Sequence, residues 1–299
     1  METQSPNAAL PGKWNPGHTS HALRGDYSGI RPDFTLDQPL TRYTEAEHDR
    51  WRRLYARQIN LMPRYAVKEF LDSIEELDVS AGIPDFARIN RTLGRLSGFQ
   101  IVAVPGLIPD DQFFAHLANR RFPVTWWIRD ESELDYLEEP DVFHDFFGHV
   151  PLLAHPVFAD YMVEYGRAGP SAVAQNAMPL LSRLYWYTIE FGLIRGADGL
   201  RVYGAGILSS NGETVYAIDS EVPNRIAFDL DRVLSTEYRI DAYQESYFVI
   251  DDFEQLFGET HKPFAPVYER LRSRPPIAPN AILPQDRVLH RGTISERPI

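Results

Sequence analysis

His144 and His149 stand five residues apart in PDVFHDFFGHVP, and Glu190 is the only charged side chain in the eleven-residue run from Leu184 to Ile194. Two neutral imidazoles and one carboxylate are the set with which a non-haem Fe(II) oxygenase holds one face of its metal, leaving the opposite face for oxygen and a co-substrate. On a regular α-helix, residues five apart point about 140° away from each other. The backbone must therefore depart from that helix if both rings are to meet one ion. Gly148 and Pro151 offer breaking points, which predicts a helix ending between the two imidazoles. The plain alternative is a pair of ordinary, partly buried histidines. Glu190 shifts the balance, because a carboxylate inside a largely apolar helix costs several kcal/mol unless a cation or a full set of hydrogen bonds satisfies it. An ion shared with the histidines would do so; an ion pair with an arginine from another element is the competing reading.

Other templates fit poorly. No histidine is followed by glutamate and no HxD or HxE occurs, so the HExxH protease pattern and the usual 2-oxoglutarate oxygenase ligand order are both absent. GAGILS at Gly204 to Ser209 lacks the third glycine of a dinucleotide loop, and its glycines read instead as a close approach of backbone to a site. Trp126, Trp127, Tyr185, Trp186 and Tyr187 read first as core. Arg129, which closes the strand-like PVTWWIR, offers a planar fork suited to a substrate carboxylate.

The elements that must position these groups follow from the hydrophobic period. Thr44 with Glu47 forms a capping-box pattern ahead of Trp51, Leu54, Tyr55 and Ile59 at helical spacing. Pro63 separates a second helix through Val67, Phe70, Leu71, Ile74 and Leu77, and a third follows Pro84 with Phe86, Ile89, Leu93 and Leu96. FQIVAVPG from Phe99 reads as a strand, Asp110 to Arg120 as a helix and PVTWWIR as a second strand. Pro156 and Pro179 each open a helix, the latter expected to run to Gly196. Asn211-Gly212 between two apolar runs predicts a β-hairpin. A helix near Phe228 to Leu234, a strand in YQESYFVI and a helix from Asp252 complete the ordered part.

The expectation is an α+β, predominantly α-helical fold: a single catalytic domain over residues 42–274, with a few short strands and hairpins around a metal site. Residues 1–41, rich in Pro, Gly, Asn and Ser, read as a flexible arm, and 275–299 as a Pro-rich tail that wraps the surface or frays. With 42 acidic against 30 basic residues the formal charge is −12, and no Lys/Arg cluster stands out, which argues against nucleic acid. The absence of cysteine removes disulfides, thiolate metal sites and cysteine nucleophiles together. No leader-like segment and no run of 18 apolar residues occurs, so the chain reads as soluble and cytoplasmic, with no membrane partner.

PDVFHDFFGHVP, LYWYTIEFGL and YGAGILSSNGE, in that order and separation, resemble the aromatic amino acid hydroxylases, the tetrahydropterin-dependent family, in particular its bacterial members. The resemblance covers roughly residues 41–270. It implies Fe(II) held by His144, His149 and Glu190, with O2 and a tetrahydropterin as co-substrates. It places the pterin against Phe113 and the backbone of Gly106, Leu107 and Ile108, with Asp145 nearby. It gives Arg129 to the amino acid carboxylate with Ser209 beside it, Trp186 and Phe191 to the pocket wall, and Tyr185 to the surroundings of the iron. Trp186 and Val249 occupy positions that, by the resemblance, favour L-phenylalanine as substrate and L-tyrosine as product. Leu137 replaces a threonine of animal members, and no regulatory domain or tetramerisation heptad is seen, so a monomer is expected. The rival readings are a tryptophan hydroxylase of the same family, a zinc-dependent hydrolase on the same ligands and a non-catalytic protein with a stabilising ion.

Overall fold

The computed structural model describes residues 23–135, 137 and 139–294. The first part of the N-terminal arm and the last residues of the tail lie outside the described residues. Helix α1 (Glu45–Ile59) begins as expected: the Thr44 side chain accepts from the Glu47 N–H at 3.3 Å, and the Glu47 carboxylate accepts from the Thr44 N–H at 2.7 Å. After the short α2 (Met62–Tyr65), α3 (Lys68–Leu77) stops at Asp78, which adopts a left-handed φ of 46°. Helix α4 (Phe86–Leu96) is capped by the Asp85 carboxylate. These helices bury most of the periodic residues named above, with Tyr55, Ile59, Leu71 and Leu96 half-buried against them, and present an aromatic wall. Trp51 packs edge-on to Phe143 and Phe146, at 5.4 and 5.8 Å between ring centroids, and Phe70 lies 5.5 Å from Phe147. The wall is the backing of the segment that carries both histidines.

Strand β1 (Gln100–Val104), helix α5 (Asp110–Ala118) and strand β2 (Arg121–Thr125) form a right-sized crossover unit, the strands pairing in parallel with Val104 opposite Thr125. Their C-terminal ends therefore release two loops at one edge, Pro105–Pro109 and Trp126–Arg129. Strand β2 starts and ends earlier than PVTWWIR suggested. Beyond Thr125 the Trp127 indole N–H donates to the Pro105 carbonyl at 3.0 Å, which ties the two loops together and leaves Arg129 four residues past the strand.

Then come a π-helical turn (His144–His149), α6 (Val150–Leu153), α7 (Pro156–Ala174), α8 (Met178–Tyr185) and a second π-helical turn (Trp186–Glu190). The helix opened by Pro179 thus ends with Glu190 instead of reaching Gly196. Gly192 meets the Tyr203 ring so closely that a Cβ would lie 2.1 Å from it, and the chain leaves this contact as strand β3 (Leu193–Gly196). Strand β3 turns through Ala197-Asp198 into β4 (Gly199–Val202), so the hairpin of this region sits one motif earlier than expected. Asn211-Gly212 does not form a hairpin. Ser210 accepts from the Glu213 N–H and caps helix α10 (Asn211–Asp219), which follows the short α9 (Ala205–Leu208). A Ser-x-x-Glu helix start outweighed the turn dipeptide because neither flank offers a strand to pair.

The rest builds a five-stranded mixed sheet in the order β4-β3-β6-β5-β7, from β5 (Asn224–Ala227), β6 (Ser246–Ile250) and β7 (Val288–His290), with helices α11 (Leu230–Ser235), α12 (Phe253–Thr260) and α13 (Ala265–Leu271) around it. The described part of the tail wraps: Ile277 bridges to Thr236 and β7 pairs with β5. The described part of the arm is anchored as well. Leu36 bridges to Ala103, and the Tyr27 hydroxyl donates to the Leu107 carbonyl at 2.7 Å.

Candidate metal centre

Neither imidazole is brought in by a helix end. His144–His149 is wound as a π-helix, in which hydrogen bonds span five residues, and that widening carries residues five apart back to one face. Phe146 and Phe147 point the other way into the aromatic wall, both fully buried. Gly148 is required by packing, since a Cβ there would lie 2.7 Å from the Ala205 carbonyl of α9. The second π turn ends on Glu190, and one ligand atom from each of His144, His149 and Glu190 falls within 4.8 Å of the others. Glu190 Oε1 is 3.2 Å from His149 Nε2, and Oε2 is 3.7 Å from His144 Nε2. Among the described residues no arginine pairs with Glu190, which removes the competing ion-pair reading.

The surroundings favour a metal over a proton. Burial pushes the His144 imidazole down to about 4, so it presents a neutral ring. Burial raises the Glu190 carboxyl, but the His149 and His144 rings and the Gly206 N–H outweigh it, holding the group below its ordinary value as a carboxylate. His144 Nδ1 lies 2.9 Å from Ser209 Oγ. With Nδ1–H donating there, Nε2 is the nitrogen left for an ion. The donor set, two imidazoles and one carboxylate with no fourth protein ligand in the group, suits iron with an open face. The glycines of GAGILS do make the expected close approach: a Cβ on Gly204 would lie 2.4 Å from the Glu190 carbonyl, and one on Gly206 would lie 2.8 Å from the Phe191 ring.

Asp141 joins the metal ligands to the proposed carboxylate anchor. It is fully buried and accepts the His144 N–H at 2.9 Å, the Arg129 N–H at 2.8 Å, and Arg129 Nε and Nη2 at 2.8 Å each. Burial alone would raise its carboxyl; Arg129 holds it below the ordinary range. One edge of the Arg129 fork is thus committed, which leaves the Nη1 side for a ligand. Sequence reasoning missed Asp141. Its only signal was an acidic residue three positions before His144, the offset at which a carboxylate caps a helical N–H.

The loop after β1 forms the other side. Gly106 has a φ of 155°, and a Cβ there would lie 2.6 Å from Glu139 Oε1, so only glycine fits. Leu107 is fixed through its carbonyl by Tyr27, and Ile108 is buried. Phe113, in the first turns of α5, lies 5.8 Å from Tyr185, whose ring is 6.2 Å from His149, so a path of three aromatic rings links the loop to the metal ligands. Asp145 accepts the Thr125 N–H at 2.8 Å at the end of β2, and burial pushes its carboxyl up to about 7. Such a site suits a flat heterocycle, with an aromatic face, backbone donors and acceptors, and an acidic group.

Trp186 and Phe191 flank Glu190 in sequence and stand 4.7 Å apart. The Trp186 indole is stacked on Tyr238 at 4.4 Å and donates to Gln244 Oε1 at 2.8 Å. Val249 lies in β6 opposite Leu193, 1% exposed, within the hydrophobic core against which Trp186 and Phe191 pack, and the segment before that strand supplies Tyr238 and Gln244 to the Trp186 indole.

The biopterin-dependent aromatic amino acid hydroxylase family matches residues 15–271 of the chain. A phenylalanine-4-hydroxylase of Ralstonia nicotianae is 56% identical over 90% of this chain and 86% of the relative. Among solved structures, the Chromobacterium violaceum phenylalanine hydroxylase with bound oxidised Fe(III) superposes with a TM-score of 0.84 at 57% identity, covering 86% of this chain and 94% of that one. The iron- and phenylalanine-bound form of the same enzyme gives 0.83 at 55% identity, over 86% and 94%.

Proposed function

We infer that this chain, which belongs to the biopterin-dependent aromatic amino acid hydroxylases, is a monooxygenase that converts L-phenylalanine to L-tyrosine with O2 and a tetrahydropterin at one Fe(II). The observation that carries the reading is the convergence of His144, His149 and Glu190 within 4.8 Å on two separate π turns, with no fourth His, Asp or Glu in the group among the described residues.

When bound, the iron and the reduced pterin supply the electrons that activate O2. The protein's share is placement. Arg129, held by Asp141 along one edge, offers its other edge to the amino acid carboxylate. Trp186 and Phe191 confine the aromatic ring beside Glu190, and Ser209 keeps the His144 ring turned so that Nε2 faces the metal. Phe113 gives the pterin a face to stack on, while the Gly106–Ile108 backbone recognises its edge and Asp145 accepts from its N–H groups. Tyr185 packs against both Phe113 and His149 and would steady the wall that the pterin site shares with the metal site. The expectation of a monomer draws support from the tail, whose β7 is used on the chain's own sheet. Among the described residues no helix is long and apolar enough to cross a membrane.

The test is an anaerobically Fe(II)-loaded sample given L-phenylalanine, a tetrahydropterin and oxygen, with tyrosine quantified against omission of each. Tyrosine that requires all three is the expected result. No tyrosine at one iron per chain, with hydroxytryptophan formed from tryptophan, would move the substrate within the family; hydrolysis without oxygen or pterin would overturn the oxygenase reading.

A further inference from the structure

We propose that Gln244 is a positioning residue that sets ring selectivity by fixing the Trp186 indole. The proposal rests on the reading of the site as a phenylalanine hydroxylase. Stacking on Tyr238 at 4.4 Å with planes 15° apart fixes the tilt of the indole but leaves it free to slide within its plane. The hydrogen bond from Nε1 to Gln244 Oε1 removes that freedom. An indole N–H is a donor only, so it needs an acceptor, and an amide could present either end. Here the end is dictated, because Gln244 Nε2 donates to the Arg239 carbonyl at 3.1 Å, which turns Oε1 toward the indole.

Gln244 is itself held. It is 3% exposed, and its backbone N–H donates at 3.1 Å to Glu213 Oε1, which also accepts the Tyr247 hydroxyl at 2.7 Å. Glu213 lies in the first turn of α10, immediately after Ser209 and Ser210, and Ser209 is the group that touches His144. One short segment therefore fastens a metal ligand through Ser209 and the ring wall through Glu213 and Gln244. A bicyclic substrate needs the wall to slide outward, and the bond to Gln244 opposes that movement.

Gln244→Leu is expected to lower the ratio of kcat/KM for phenylalanine over tryptophan about five-fold, the worth of one hydrogen bond. It is also expected to lower tyrosine formed per pterin oxidised and to leave iron stoichiometry unchanged. On a Trp186→Phe background, which has no indole N–H, adding Gln244→Leu should change the ratio by less than about two-fold. A merely structural role would move both backgrounds alike and affect both substrates equally. Should Gln244→Leu fail to fold, the pair Glu213→Gln and Glu213→Leu carries the test. The first keeps an oxygen for both donors and should retain the parent ratio, and the second should lower it. An unchanged ratio in a parent that makes tyrosine, or an equal change in both backgrounds, overturns the proposal alone. A parent that makes no tyrosine overturns the functional reading and this proposal with it.

Discussion

The two halves of the site are held by different means. The iron half stands on two π turns inside the aromatic core: His149 is 4% exposed, and His144 is fastened by Asp141 at its N–H and by Ser209 at its ring. The half proposed for the pterin is a loop, Pro105–Pro109, whose shape depends on one positive-φ glycine and on contacts from the arm, with Tyr27 on Leu107 and the Arg24 N–H on Glu139 at 3.0 Å. A resident metal calls for a cage that does not move between turnovers. A co-substrate that enters and leaves each cycle calls for a surface that can yield. Variants in the two halves should therefore separate cleanly in what they damage.

The largest effect belongs to Glu190→Ala. Iron content and hydroxylation should fall together to background, as read by metal analysis and tyrosine formation, whereas retained iron with turnover would remove Glu190 from the cage. Next, Asp141→Ala leaves Arg129 charged and buried without its partner. It should cost about 3–5 kcal/mol of stability, measured by denaturant unfolding, with weaker phenylalanine binding in whatever folds.

In the other half, Gly106→Ala forces a side chain into a left-handed backbone and against Glu139, a strain of roughly 1–3 kcal/mol. The expected readout is a pterin KM raised by about ten-fold or more at unchanged iron content; loss of iron instead would mean that the halves are not independent. Tyr27→Phe removes one hydrogen bond to the loop, worth about 1 kcal/mol, so the pterin KM should rise roughly five-fold while the KM for phenylalanine stays put. An equal rise for both substrates would blur the division.

The same division explains what could be read from the chain. Thr44 with Glu47 was legible because cap and partner lie three residues apart, as were the stripes of α1, α3 and α4. The ligand set was legible as residue types, but the device that aligns it was not. A π turn preserves helical composition and changes only which residues share a face, so Gly148 and Pro151 read as breakers when one is a packing contact and the other opens α6. Asn211-Gly212 misled because turn chemistry is local, and the Ser210 cap one residue before it starts a helix instead. Tyr27 and Gln244 carried no signal at all, since their partners lie 80 and 58 residues away.

The most direct test of the account is an anomalous diffraction map at the iron edge from Fe(II)-loaded crystals. One peak is expected, bounded by His144 Nε2, His149 Nε2 and the Glu190 carboxylate at about 2.0–2.2 Å, with no fourth protein ligand. A peak elsewhere, or one whose open face is closed by another side chain, would contradict it.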